Sequence, residues 1–501
     1  MRLSSTGSST GSSRATSAAL AALALALTAG PAHAQQPIPE GPELGASPVE
    51  FAGVRWTPRP VAVPHAPRHP HMAPNGRSNL HEDAWQTDTA LNPGPLGGPM
   101  TRTSTFYARE CASITFDARG RLVTVCVGLD KPQLKILEPV TLREIASMDL
   151  PRRPPNLGAN PFTSFAGGGY FYLDDRDRAV IPTGDRHVKV VAVEGDGLRQ
   201  VADYDLTAAV PDGDAIISAL PDWFGTIWFA STKGVVGRID PRTGAVFSRD
   251  LGEPIGNSFA VDEWGSAYVV TDAALYRLDT GRDGRPRTVW RQPYPNVGRQ
   301  KPGQTEAGSG TTPTVMAGGL IAITDNADPM DVVVYRRHAR LRKKPRQVCA
   351  VAVFKPGASS TDQSLIAAGR SIVTENNYGY TGPTSTENGA STEPGIWRVD
   401  VRADKRGCRV VWRNDEVRAP SSVPKLNLAN GLVYAYEKEP RDDGSDRWYL
   451  TALDFRSGRR VWRRLAGEGL GFNDNFAPVT FGPDGTFYSG VLGGLVALRD
   501  G

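Results

Sequence analysis

Histidine beside carboxylates, and carboxylate or amide oxygens recurring at matched loops, are where this sequence could do chemistry. Of seven histidines, His65, His69, His71 and His81 fall within one short proline-rich stretch, and Glu82 and Asp83 follow His81 directly. An imidazole with carboxylate neighbours can move a proton or ligate a transition metal. His187 and Tyr378 are further candidates for the base in such a transfer.

Oxygen donors form the second set. Thr183-Gly184-Asp185, Thr271-Asp272, Thr324-Asp325-Asn326 with Asp328, and Thr374-Glu375-Asn376-Asn377 each follow an apolar run, whereas Asn257 and Asn473-Asp474-Asn475 each precede one. If such loops converge on one axis, their oxygens suit a hard cation such as Ca²⁺ or the hydroxyls of a sugar. Asp325, Asn326 and Glu375 are then the candidate cation ligands. Asp272, Asn257, Asn376, Asn377, Asn473 and Asn475 are the candidate ligand-binding groups. The same residue types are good turn formers that bond their own backbone, and both readings stay open. The stretch from Glu375 to Pro394 is long, glycine-bearing and carries Tyr378 and Tyr380, which reads either as a lid or as an insertion without a site. The histidine-bearing segment reads either as a source of a base or as a strap.

What must position these residues is a repeated β unit. From Tyr107 onward short strand patterns alternate with Gly/Asp/Asn turns, and no stretch sustains a helical period. One hairpin recurs as Phe116-Asp-Ala-Arg-Gly120, Pro221-Asp-Trp-Phe-Gly225, Val261-Asp-Glu-Trp-Gly265 and Phe481-Gly-Pro-Asp-Gly485, each followed by a β-branched or aromatic strand. Two more strands follow each hairpin. Four strands per unit of roughly 40 to 50 residues predict an all-β, eight-bladed β-propeller, with seven blades as the alternative. The units begin at about residues 108, 162, 213, 256, 308, 363, 421 and 474. The last unit shows three strands, and a strand from Pro48 to Trp56 is expected to complete it and close the ring.

The chain divides accordingly into a signal peptide over 1–34, an N-terminal extension wrapping the propeller over 35–106, and the propeller over 107–501. Arg2 and Arg14 precede the apolar run Ala18 to Leu27, and Ala32-His33-Ala34 precedes Gln35, which together have the form of a cleavable secretion signal. No later run reaches the roughly 18 apolar residues of a membrane helix, so secretion or a periplasmic location without membrane insertion is expected. In such a compartment four cysteines are expected to pair. Cys111 and Cys126 flank the turn Asp117 to Gly120 symmetrically and would face each other across a hairpin; Cys349 and Cys408 lie one repeat apart and would link neighbouring blades by elimination. A net charge of +4 with interspersed signs argues against nucleic acid, and the run Arg336 to Arg346 reads as a solvated loop.

The segment Ala452-Leu-Asp454-Phe-Arg-Ser-Gly458-Arg-Arg-Val-Trp462 resembles the repeat of pyrroloquinoline-quinone (PQQ) dehydrogenases and related quinoprotein-like propellers, with Gly237 to Phe247 as a weaker copy. The resemblance implies that Asp and Gly shape the turn and that Trp docks between blades. It does not carry the dehydrogenase activity or a PQQ cofactor over, because the adjacent cysteine pair of those enzymes and a Cys-x-x-Cys-His haem site are both missing. Two functions follow by analogy. One is a cation-dependent lyase or lactonase acting on a carbohydrate or other small polar molecule, in which Asp325, Asn326, Glu375 and Asn376 hold the ion or substrate and His81, His187 or Tyr378 is the base. The other is a non-catalytic binding or assembly propeller of the cell envelope with a protein partner.

Overall fold

The computed structural model describes residues 41–44, 51–128, 130–153 and 164–501, so the expected signal peptide lies outside the described residues. Eight sheets follow one another along the chain, each built on antiparallel strands. Blade 1 runs from Glu110–Phe116 to Glu144–Asp149, blade 2 from Tyr172–Leu173 to Gly197–Asp205, and blade 3 from Ile216–Pro221 to Val246–Asp250. Blades 4, 5 and 6 start at Ala260–Val261, Thr314–Met316 and Ile366–Ala368, and blades 7 and 8 at Lys425–Asn427 and Thr480–Phe481. The chain is an all-β, eight-bladed propeller.

Burial follows position in the blade. First and second strands such as Ile216–Pro221 and Ser371–Glu375 are buried along their whole length, whereas the outermost strands Glu144–Asp149 and Gln347–Ala352 alternate exposed and half-buried residues. Inner strands are covered on both faces by neighbouring blades, and outer ones keep one face in water.

The recurring hairpin works through its aspartate. In Asp117, Asp174, Asp222 and Asp262, one carboxylate oxygen accepts N–H bonds from residues two and four positions on, which closes the turn between first and second strands. Gly120, Gly225 and Gly265 take the positive φ that this turn requires. Between blades the indole of Trp412 donates to the Phe455 carbonyl at 2.9 Å and lies over Gly458, where a Cβ would come within 2.4 Å of the ring. Trp412 thus docks between blades, as expected of the repeat.

Ring closure differs from expectation. The fourth strand of blade 8 is Met100–Phe106, paired along Gly494–Asp500, and not the segment around Pro48 to Trp56. Phe51–Gly53 instead adds an outer strand to Arg460–Glu468 of blade 7. Met100–Phe106 leads straight into blade 1, so the strand nearest in sequence closes the ring and the more distant one is left for an edge. Both disulfides form as expected: Cys111–Cys126 spans a bulge in the first hairpin with Cα atoms 4.0 Å apart, and Cys349–Cys408 joins the outer strands of blades 5 and 6 at 5.8 Å. The basic run is largely an exposed loop. Arg337 is the exception, buried and paired with Asp262 and Glu263.

The N-terminal segment does two things. Residues 54 to 72 cross the face that carries the first-to-second-strand turns, with Arg59 bonded to Asn430, Val63 beside Gly369 and His71 beside Gly225. Residues 73 to 92 then turn into the bore and run around it. Backbone N–H groups of Leu173, Val261, Val315, Ala367 and Leu426 donate to the carbonyls of Ser78, Ala84, Trp85, Thr87 and Asp88, so the segment pairs with first strands of blades 2, 4, 5, 6 and 7 in turn. Thr89–Ala90 is a short parallel strand on Lys425–Asn427. This internal collar meets the C-terminal ends of the first strands and closes the bore at that end.

Candidate functional site

Above the collar, on the face of the loops that lead into first strands, lies a cavity of about 370 Å³. It sits off the axis. Loops leading into blades 1, 2, 6, 7 and 8 supply most of its wall. The lining is largely apolar, with Leu80, Phe106, Val125, Val127, Phe165, Leu470, Phe476 and Leu492 contributing.

Its polar lining includes Arg109, Glu110, Arg153, Tyr170, Asp362 and Glu468. Glu110 accepts from the Asn475 amide at 2.9 Å, and enclosure pushes its carboxyl up to about 8. Asp362 accepts from the Thr305 hydroxyl at 2.8 Å, and burial pushes it up to about 7. Tyr170 donates to Asn257 at 2.8 Å, and its phenol is raised by burial. Burial favours the protonated carboxyl, and Arg153, which lines the same cavity, opposes that rise at Glu110.

His81 stands at the base of the cavity. Its Nδ1 lies 3.0 and 3.1 Å from the two oxygens of Asp88, and Nε2 lies 3.4 Å from the Ser364 hydroxyl. The imidazole ring stacks on Tyr170 with centroids 6.2 Å apart. Several bonds hold this geometry. Asn79 accepts the His81 N–H at 2.8 Å, the Asp88 N–H donates to the His81 carbonyl at 3.3 Å, and Asp83 caps the intervening turn by accepting from Trp85 and Thr87. Glu82, Gln86 and Asp88 adopt positive φ, as a tight loop requires. Glu82 is anchored by Lys425 at 2.5 Å, both fully enclosed.

The remaining predicted site residues are placed elsewhere or are already occupied. His187 is on the third strand of blade 2, with Nδ1 against Asp203 at 2.7 Å and Nε2 towards Asp205, and it does not line the cavity. Tyr378 does not line it either. The loop it belongs to is packed, with Pro383–Thr386 in a 3-10 turn and Tyr380, not Tyr378, buried and donating to Asn473 and Asn475. His65, His69 and His71 precede the collar. Among them His69 is enclosed against Trp223, and burial lowers it to about 3.

The donors expected for calcium are partly spent on backbone, while one Asp325 carboxylate oxygen and the Asn326 amide oxygen are buried without a hydrogen-bond partner. Asp325 spends one oxygen on the N–H groups of Ala327 and Asp331, and the Asn326 amide donates to three oxygens of neighbouring loops. Glu375 accepts from Thr361. Among the described residues no three His, Cys, Asp or Glu side chains come together as a metal would need. The asparagines are stitches: Asn257 bonds Gly310, Asn376 bonds Ser360 and Ala358, Asn377 bonds Thr361 and Ala419, and Asn473 bonds Thr386. Asp272 is partly enclosed and raised to about 6, beside Glu253 and Glu306. Of this set only Asn475 reaches the cavity wall.

Sequence reasoning reached His81 and missed Asp88 and Ser364. Asp88 lies seven residues from His81 and was open to notice, whereas Ser364 lies 283 residues away in Asp362-Gln363-Ser364-Leu365, which matches no nucleophile motif.

No protein-family profile matches the chain. An uncharacterized protein of Archaeoglobus fulgidus is 30% identical over 322 residues, which are 58% of this chain and 62% of that protein, so the chain spans under two thirds of that relative's length. Among solved structures, BamB from Moraxella catarrhalis is similar at 13% identity with a TM-score of 0.46, over 79% of this chain and 97% of BamB. A streptogramin B lyase is similar at 12% identity with a TM-score of 0.39, over 79% of this chain and 94% of the lyase.

Proposed function

We propose that this chain is an extracytoplasmic, quinoprotein-like propeller that binds a small molecule with an apolar body in its off-axis cavity, with His81 as the proton acceptor facing that molecule. The supporting observation is the His81–Asp88 pair at the cavity floor. A carboxylate on Nδ1 fixes the tautomer that leaves Nε2 as an acceptor, and Nε2 is the nitrogen on the cavity side. Two disulfides support an oxidising compartment, and among the described residues no helix is long and apolar enough to cross a membrane. An assembly propeller would need neither an enclosed cavity nor an oriented imidazole.

Isothermal titration with hexanoyl anilide, an apolar chain bearing one amide, tests the reading. Saturable binding is expected, weakened at least tenfold by Val127→Trp, which fills the cavity from blade 1. Binding that ignores Val127→Trp would show that the probe sits elsewhere and would remove the cavity from the proposal.

A further inference from the structure

We infer that Ser364, His81 and Asp88 form an acyl-transfer centre that hydrolyses carboxylic esters of apolar acids, Ser364 being the nucleophile. The inference rests on the cavity reading above and adds a reaction to it. A serine hydroxyl becomes nucleophilic when an imidazole takes its proton and a third group orients that imidazole. Here the hydroxyl and the imidazole both line the cavity, and Asp88 lies behind the ring, fully enclosed. Such an arrangement is recognised by geometry, and the chain order His81, Asp88, Ser364 is no obstacle.

Two comparisons within the molecule sharpen the assignment. The other histidine–carboxylate contact among the described residues, at His187, turns both ring nitrogens to carboxylates. Three other hydroxyls of the loops and inner strands are bonded to carboxylates: Thr361 donates to Glu375, Thr305 to Asp362 and Ser231 to Asp214. The Ser364 hydroxyl has His81 as its partner. The 3.4 Å separation is at the long end for such a bond, as is common before substrate is present. Ser364 stands two residues ahead of the first strand of blade 6, which Ala367 pins to the collar carrying His81, so nucleophile and base sit on elements bonded to each other.

The steps balance with water as the one co-reactant. The Ser364 proton passes to His81 Nε2 as Oγ bonds the acyl carbon and the carbonyl electron pair moves onto oxygen. That pair returns, the bond from carbon to the alcohol oxygen breaks, and Nε2 gives its proton to the departing alkoxide. Water attacks the acyl-Ser364 ester, loses its proton to Nε2, and the bond from carbon to Oγ breaks as that proton returns to Ser364. The apolar walls suit the acyl chain, and burial shifts the Glu110 and Asp362 carboxyls towards the protonated form, which lessens their repulsion of an electron-rich tetrahedral centre.

The test uses the full mature chain, 4-nitrophenyl hexanoate as substrate and a hexyl fluorophosphonate as covalent probe. Mass spectrometry should place the phosphonyl adduct on Ser364. Ser364→Ala should lower turnover by roughly 10³-fold or more while hexanoyl anilide still binds and melting is little changed, and His81→Gln should lower turnover at least as far, with a lower melting temperature because buried Asp88 loses its partner. Asp88→Asn should lower kcat by roughly 10²- to 10⁴-fold with KM nearly constant, a split that a packing role would not produce. Should the Asp88 variant fail to fold, the adduct and the Ser364 variant decide the matter. Anilide binding without an adduct, or hydrolysis that survives Ser364→Ala, overturns the acyl-transfer centre and leaves the cavity reading standing. Absence of anilide binding together with absence of an adduct removes both.

Discussion

Lys425→Met is the most incisive perturbation of the collar. The lysine Nζ lies 2.5 Å from Glu82 Oε1, and neither side chain reaches solvent. Burial already pushes the Glu82 carboxyl upward and Lys425 opposes that rise. Removing the amine from an enclosed pair leaves an uncompensated acid, a loss of ~3–5 kcal/mol. The acid will bind a proton in preference to staying charged, and this gives the loss a pH signature. Above about pH 4.3 the unfolded chain has released that proton while the folded variant retains it, so folding takes up a proton and stability falls as pH rises. The deficit against wild type should therefore be smallest near pH 5 and grow by about 1.4 kcal/mol per pH unit until the folded carboxyl itself ionises. Urea unfolding followed by the fluorescence of the ten tryptophans, at pH 5, 6.5 and 8, measures it. Adding Glu82→Gln should recover most of the loss at pH 8 and little at pH 5. A deficit independent of pH would assign the loss to packing, and no deficit at all would mean that the collar contributes little to holding the ring closed.

Two further outcomes follow from the stitching loops and the outer strands. Asp325→Ala removes the acceptor for the Ala327 and Asp331 N–H groups and should cost about 1–3 kcal/mol, equally in EDTA and in millimolar calcium; a melting shift on adding calcium that the variant abolishes would restore the cation site there. Replacing both Cys349 and Cys408 by serine opens a loop spanning 59 residues and should lower stability by about 4 kcal/mol on the chain-entropy account, with unreduced peptide maps of the parent showing that link beside Cys111–Cys126; free thiols in protein purified without reductant would contradict both bridges.

The fold was legible because it is written locally and repeatedly. An aspartate that caps its own turn and a glycine at positive φ need only a few neighbouring residues, and their recurrence in blades 1, 3 and 4 makes the pattern plain. Ring closure was not legible in the same way. Met100–Phe106 and Phe51–Gly53 both could serve as an added strand, and the choice depends on where the intervening residues 54–99 run, which is a tertiary matter. The asparagines illustrate a different limit. Their recurrence at equivalent loops was real, but the same recurrence arises when each loop must satisfy the backbone of its neighbour, and Asn376 and Asn377 use every side-chain atom for that.

The collar explains why His81 is the residue on which a function can be built. By displacing water from the lower bore it forces every acid it carries to find a proton or a partner, since a bare buried carboxylate is not tolerated. Glu82 takes Lys425; Asp83 takes Thr87 and the Trp85 N–H, with its carboxyl raised to about 7. These two contacts are closed and present nothing reactive. Asp88 alone takes a group with a second nitrogen, and that nitrogen faces the apolar cavity beside a hydroxyl. A purely structural collar would gain as much from another lysine or threonine at position 81 and would not need the imbalance of an imidazole, one side satisfied by a carboxylate and the other turned to empty space lined by phenylalanine and leucine. That asymmetry separates a site from a seal, and it is why covalent capture at Ser364 is more informative than any measure of stability.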